Sequence, residues 1–295
     1  MYGAVESNKR KSWLLIGVFV VLIGLLGWIV DRAYDGGGAI TIIALGYSLV
    51  SALFSYYAGD RVALWTAGAK QIRKEDGPEL WRTVENLCIA DGLPMPKVYV
   101  IDDPAPNAFA TGRDPQHASI AFTTGLLERL DRTEVEGVTA HELSHVKNYD
   151  VRVMTIVVVL VGMIAVMADI FLRIGLHSRG GDRKKGGGVL MILALIAIIL
   201  APIVAHLIKL AVSRRREFLA DASGALLTRY PEGLARALEK ISSYVQPLRR
   251  VSSATAHLYI SNPFGPTGWT ANLFSTHPPA QERIAALRAM INNPS

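Results

Sequence analysis

Thr139-Ala-His-Glu-Leu-Ser-His-Val-Lys-Asn148 sets two histidines and a glutamate within five positions, just ahead of a long apolar run. On a helix, positions four apart lie one turn apart on the same face, so His141 and His145 can point ring nitrogens at one ion. Neutral imidazole is a good zinc ligand. Glu142, one step round the helix, is placed to hold a water and take its proton, as in the His-Glu-x-x-His pattern. A random chain of this composition would hold roughly 0.007 such matches. The competing reading is a polar surface helix that happens to carry histidine.

The stretch sits in a chain with the composition of a membrane protein. Its 295 residues are 51% hydrophobic and 19% charged, where soluble domains are nearer a quarter charged. Four runs have the length and polarity of spans. They are Trp13 to Val30, Gly36 to Gly59, Met154 to Leu172 and Gly186 to Ile208. The first carries Trp13 and Trp28 near its ends, as interfacial rings do. It is longer than a signal-peptide core and lacks a small-residue cleavage site, so it reads as an anchor. A short connection, Asp31 to Asp35, makes a hairpin of the first two runs. Asp169 interrupts the third and is expected to pair with Arg173, four residues on. The fourth contains Pro202 and His206.

The net charge of +6 sits beside these runs, at Lys9-Arg10-Lys11, Arg183-Lys184-Lys185 and Arg214-Arg215-Arg216. That placement reads as juxtamembrane anchoring and not as nucleic-acid binding. The single Cys88 excludes an internal disulfide and a four-cysteine zinc site, and suits a reducing compartment. Basic residues before the first span favour a cytoplasmic N-terminus, which puts both polar segments on the cytoplasmic side. The basic loop 173–185 disfavours an external position, so the second hairpin spans, dips into the bilayer or packs on the protein. The expected organisation is a transmembrane hairpin in 1–60, with spans near 13–30 and 39–57. A first polar segment carrying the His-Glu-x-x-His helix follows in 61–150, a second apolar hairpin in 151–212 (near 154–172 and 188–208), and a second polar segment in 213–295.

Within the first polar segment, Lys97 to Asp102 and Ala118 to Thr123 alternate as strands do. Asn107 to Gly112, bounded by Pro106 and Gly112, reads as a short edge strand. Thr133 and Glu136 have capping-box spacing, which predicts a helix start near Thr133 that runs on through 139–148. Gly180-Gly181 and Gly186-Gly187-Gly188 mark a flexible loop.

Catalytic zinc needs three protein ligands and an open position. His117 and His257 lie in loop-like contexts, His177 in the basic loop and His206 inside an apolar run. Glu217 and Asp221 are four apart on an expected helix. One could ligate while the other holds the second nitrogen of a ligand histidine. Alternatively they form a solvated acidic face offset by Arg214–Arg216. Arg214 and Arg216 either orient those two acids or lie at the headgroups.

His141-Glu-Leu-Ser-His145, followed by Arg216-Glu-Phe-Leu-Ala-Asp221, resembles the HtpX-type membrane zinc metallopeptidases, bacterial relatives of the type 1 CAAX prenyl endopeptidase. The similarity covers nearly the whole chain. Its order is an apolar hairpin, the zinc helix, a second hairpin, the Glu-Phe-x-Ala-Asp helix and Thr276-His-Pro-Pro279. It implies an α-helical membrane protein with an α+β gluzincin-like peptidase domain, about four apolar membrane helices, and a small edge-stranded sheet beside the zinc helix. It implies one Zn2+ per chain, with Glu217 as third ligand and Asp221 supporting a ligand histidine. By the same resemblance His277 lies near the metal as an oxyanion stabiliser, and Asn107, Ala108, Phe109 and Ala110 edge the substrate cleft, where a peptide could add by backbone hydrogen bonds. The implied activity is endopeptidase cleavage of misfolded or damaged membrane proteins at the cytoplasmic face of the bacterial inner membrane. The expected partners are the bilayer and unfolded or membrane protein substrates, with no nucleic acid; oligomeric state is left open. Two rivals stand beside it: a processing peptidase for lipidated chains, and a catalytically silent scaffold or chaperone-like protein. An intact Glu142 argues against the silent scaffold.

Overall fold

The structure, a computed structural model, describes residues 2–33, 35–177, 213–252, 254–265 and 278–292. The fourth apolar run, most of the basic loop, both glycine clusters and His277 lie outside them. Helix α1 (Tyr2–Ala33) and α2 (Ala39–Thr66) form the first hairpin. Both are long and apolar enough to cross a membrane. At about 1.5 Å per residue α1 is roughly 48 Å long, against a hydrocarbon core of about 30 Å. Its polar first turns, through Ser12, therefore extend beyond the lipid. Asp31 closes the hairpin: its carboxylate accepts the amides of Gly38 at 2.7 Å and Ile40 at 3.0 Å. That contact supplies the N-terminal cap of α2. Gly37 and Gly38 take φ of 62° and 94° in the turn, a left-handed conformation that favours glycine. Ile42, Ile43, Val50 and Leu53 on α2 face outward, the face lipid would cover.

A four-stranded mixed sheet follows. It comprises β1 (Lys70–Gln71), β2 (Lys97–Ile101), β3 (Ala108–Gly112) and β4 (Ala118–Thr123), in the order β1-β2-β4-β3. Strands β2 and β4 are parallel, and β3 runs antiparallel to β4. The expected strands are all present, and β3 is terminal in the sheet. Helix α3 (Pro78–Asp91) precedes β2, and the single turn-and-a-half α4 (Thr124–Arg129) follows β4.

Helix α5 (Arg132–Lys147) carries the two histidines. Its cap is Asp131 and not Thr133: Asp131 accepts the Glu134 amide at 3.0 Å, and the Glu134 carboxylate accepts the Asp131 amide at 2.8 Å. The same spacing occurs twice, two residues apart. The Asp131 register wins because it turns Glu134 inward, where it meets Lys240 at 2.7 Å, while the Thr133 hydroxyl donates to Asp131. After Asn148, Tyr149 adopts φ 60° and the chain bends by 81° into α6 (Asp150–His177). Helix α6 starts four residues before the expected span and continues five residues into the expected basic loop. The side chains of Asp169 and Arg173 lie outside the described residues.

Beyond residue 212 come α7 (Arg214–Thr228), α8 (Pro231–Ser242), a 3-10 turn at Ala256–Leu258 and α9 (Ala280–Asn292). Two apolar clusters organise the molecule. One joins Phe19 and Ile23 of α1 to Val157 and Leu160 of α6. The other packs Val138 and Leu143 of α5 against Ile120 and Phe122 of β4 and Leu234 and Leu238 of α8. Helix α5 thus lies between the sheet and the C-terminal helices, with His141, Glu142 and His145 all buried.

Candidate active site

Helix α7 crosses α5 closely because Gly224 has no side chain at the contact. A Cβ there would stand 3.0 Å from the His141 nitrogen and 3.2 Å from the Ala140 carbonyl carbon. Glu217, Asp221 and Gly224 share a helical face by their spacing, so the same crossing aims both acids at the histidine pair. The Nε2 atoms of His141 and His145 are 3.2 Å apart. Glu217 brings one carboxylate oxygen within 3.6 Å of His145 Nε2 and the other within 3.8 Å of His141 Nε2. Among the described residues this is the one cluster of three such groups that could hold a metal ion. His117 is instead exposed beside Asp114, and buried His257 lies 3.0 Å from the Met154 carbonyl oxygen.

The donor set fits a cation. Each ring meets a carboxylate through Nδ1: Asp221 at 2.9 Å for His141 and Asp150 at 3.0 Å for His145. A carboxylate accepts, so each Nδ1 carries a proton and the two Nε2 atoms are turned toward each other. Bonds of about 2.0–2.1 Å in a tetrahedron would put ligand atoms about 3.3–3.4 Å apart, close to the 3.2 Å seen. Burial pushes His145 down, but Asp150, Glu217 and Glu142 outweigh it and raise the ring to about 9. The pocket asks for positive charge between these donors. Burial holds His141 down at about 4, with Asp221 opposing.

Glu142 is 1% exposed. Burial raises its carboxyl to about 7, partly opposed by the charge of His145. Arg283 of α9, 2% exposed, donates to both oxygens of Asp221 at 2.8 and 2.6 Å and lies 3.7 Å from Glu217. Burial would raise Asp221, yet Arg283 overcomes it and holds the carboxyl at about 2.

Four of the positions singled out from sequence, His141, His145, Glu217 and Asp221, are brought together with Glu142 beside them. Sequence reasoning missed Asp150 and Arg283. An acid directly before an apolar run is a weak signal for the first, and nothing local marks the second. Arg216 reaches Asp150 at 3.2 Å and so braces that acid. The outward backbone groups of terminal strand β3 are already engaged at its ends. The Ala108 carbonyl accepts from the Ile260 amide at 2.9 Å, and the Gly112 amide donates to Thr155 at 3.1 Å. Ala110, between them, has its backbone beside Glu142. Asn107 itself is buried, holding the Ser261 carbonyl at 3.0 Å, and Phe109 packs edge-on against Tyr259.

The profile of Peptidase family M48 matches residues 74–291. The chain belongs to peptidase family M48. It is 50% identical over 295 residues to "Protease HtpX homolog" of Tropheryma whipplei strain Twist, covering 99% of each chain. It is 47% identical over 289 residues to the protein of that name from Dictyoglomus thermophilum, covering 98% of this chain and 94% of the other. Its fold is like the crystal structure of S. mikatae Ste24p, at a TM-score of 0.50 and 20% identity, over 97% of this chain and 67% of that one. With its apolar spans, this M48 chain is a membrane metallopeptidase.

Proposed function

We propose that the protein is a zinc endopeptidase of the bacterial inner membrane that cleaves misfolded or damaged membrane proteins from the cytoplasmic side. The observation that carries this reading is the convergence of two imidazole nitrogens and one carboxylate beside a buried second carboxylate. His141, His145 and Glu217 would hold the ion. When bound, zinc polarises a scissile carbonyl and acidifies a water. Glu142 takes the proton of the attacking water and returns it to the leaving amine. A carboxyl raised to about 7 suits that exchange, because a general base works best with a pKa near the operating pH. Asp221 and Asp150 keep each ring's Nε2 turned inward, and Arg283 offsets the accumulated negative charge. A substrate strand would approach terminal strand β3 at Ala110, whose backbone is hydrogen-bonded to Glu142. His277 is proposed as a further donor to the oxyanion.

The orientation rests on Lys9-Arg10-Lys11 preceding the first span. Nearness to the bilayer supports the substrate class, because the apolar part of α6 begins at Met154, within three turns of His145.

The test is a matched pair of purified proteins. Glu142→Gln should bind one zinc as wild type does and lose at least about 100-fold in cleavage of an unfolded membrane protein in liposomes. Equal cleavage by both proteins removes the enzymatic role of Glu142. A substrate series with and without a prenyl group separates quality control from lipid-dependent processing: strict dependence on the lipid would favour the latter.

A further inference from the structure

Asn8 lies in the polar first turns of α1, ahead of the apolar run, yet only 2% of it is exposed. A buried amide is expected to be paired, and both of its partners are at the α5–α6 bend. Its side-chain nitrogen donates to the Asn148 carbonyl at 2.9 Å and to Asp150 Oδ1 at 2.7 Å. Lys9 covers the ring of Tyr149 at the same bend, 4.6 Å from its centre. Asp150 divides its two oxygens. Oδ2 faces His145 Nδ1 at 3.0 Å, while Oδ1 takes Asn8 and Arg216, the latter at 3.2 Å.

We infer that Asn8 is a positioning residue of the metal centre, so that the first membrane helix helps to aim His145. The inference rests on His145 being a ligand. The terminal torsion of an aspartate is broad and soft, and one oxygen bonded to the imidazole leaves the carboxylate free to swing. Two donors on the opposite oxygen fix its plane. The ring that Asp150 holds then keeps its Nε2 at a constant angle to Glu217 and His141. Partners of this outer kind contribute about 10–100-fold to metal affinity. Asn8 acts one step further out, so its effect belongs at the low end.

The experiment measures apparent zinc affinity of the full-length protein in detergent by competition with a chromophoric chelator. Wild type is compared with Asn8→Leu, Asp150→Asn, the double variant, Phe19→Ala and His145→Ala. Asn8→Leu is expected to weaken zinc binding about tenfold. Asp150→Asn should weaken it further, and the double variant should bind no more weakly than Asp150→Asn alone, because the route runs through Asp150. Phe19→Ala removes a side chain buried in the α1 contact with α6; it should lower the thermal midpoint and leave zinc affinity within twofold. The inference is overturned if Asn8→Leu binds within twofold of wild type, if the two losses simply add, or if Phe19→Ala weakens zinc as much. Should Asn8→Leu not fold, Asn8→Ser, small and polar but without the amide, carries the same cycle. Loss of zinc in His145→Ala with no effect at Asn8 defeats this inference alone. Wild-type zinc affinity in His145→Ala defeats the ligand assignment together with it.

Discussion

Replacing Arg283 with methionine would keep much of the side chain's apolar stem and remove its charge. In the native site the guanidinium holds both oxygens of Asp221, at 2.8 and 2.6 Å, and the Ile260 carbonyl at 3.2 Å. Charge centres about 4 Å apart attract by about 4 kcal/mol at an effective dielectric of 20. Leaving one member of a buried pair alone costs about 3–5 kcal/mol, so the two magnitudes agree. At about 2–4 °C per kcal/mol for a fold of this order, the midpoint should fall by roughly 10 °C. The assay is thermal unfolding of chelator-treated protein in detergent, followed by tryptophan fluorescence. Adding Asp221→Asn removes the orphaned charge and should recover much of the loss. A shift under about 2 °C in Arg283→Met, or no recovery in the double variant, would refute the reasoning.

Gly224→Ala should push α7 off α5, because the new Cβ meets backbone atoms of Ala140 and His141 rather than a flexible side chain. The expected cost is about 1–3 kcal/mol with weaker zinc binding, read by unfolding and by chelator competition. Asp131→Ala removes the cap of α5 and should destabilise by about 1 kcal/mol. The Thr133 hydroxyl, and then the Glu134 amide, hold the Asp131 carboxyl below its ordinary value. A depressed carboxyl contributes stability above its unfolded pKa of about 3.9 and loses it as pH falls further. The acid limb of an unfolding-versus-pH curve should therefore flatten in this variant.

The histidine pair was legible because helical spacing alone puts His141 and His145 on one face, with Glu142 beside them. Glu217 and Asp221 were legible as a pair, but only the resemblance assigns one as proposed ligand and the other as proposed support. Strands β2 and β4 were read nearly to the residue, since Lys97–Ile101 and Ala118–Thr123 are bounded by turn residues; the two-residue β1 at Lys70–Gln71 was not, being too short to show alternation. The start of α5 was misplaced by two residues because two capping boxes overlap and only the tertiary partner of Glu134, Lys240, chooses between them. Asp150 depends on the left-handed turn at Tyr149, which folds the chain back on His145. Tyrosine gives no local hint of that backbone. Arg283 reads as one more charge on an amphipathic C-terminal helix. Its role exists only once α9 closes over Asp221, a contact 62 residues apart in sequence.

The candidate centre is gathered from α1, α5, α6, α7 and α9, through contacts of Asn8, Asp150, Asp221 and Arg283. A ribosome-bound chain that has released both imidazoles still lacks the acid from α7 and the guanidinium from α9. The proposed zinc site can therefore close only after α7 has been made, when α1 and α2 have already left the ribosome.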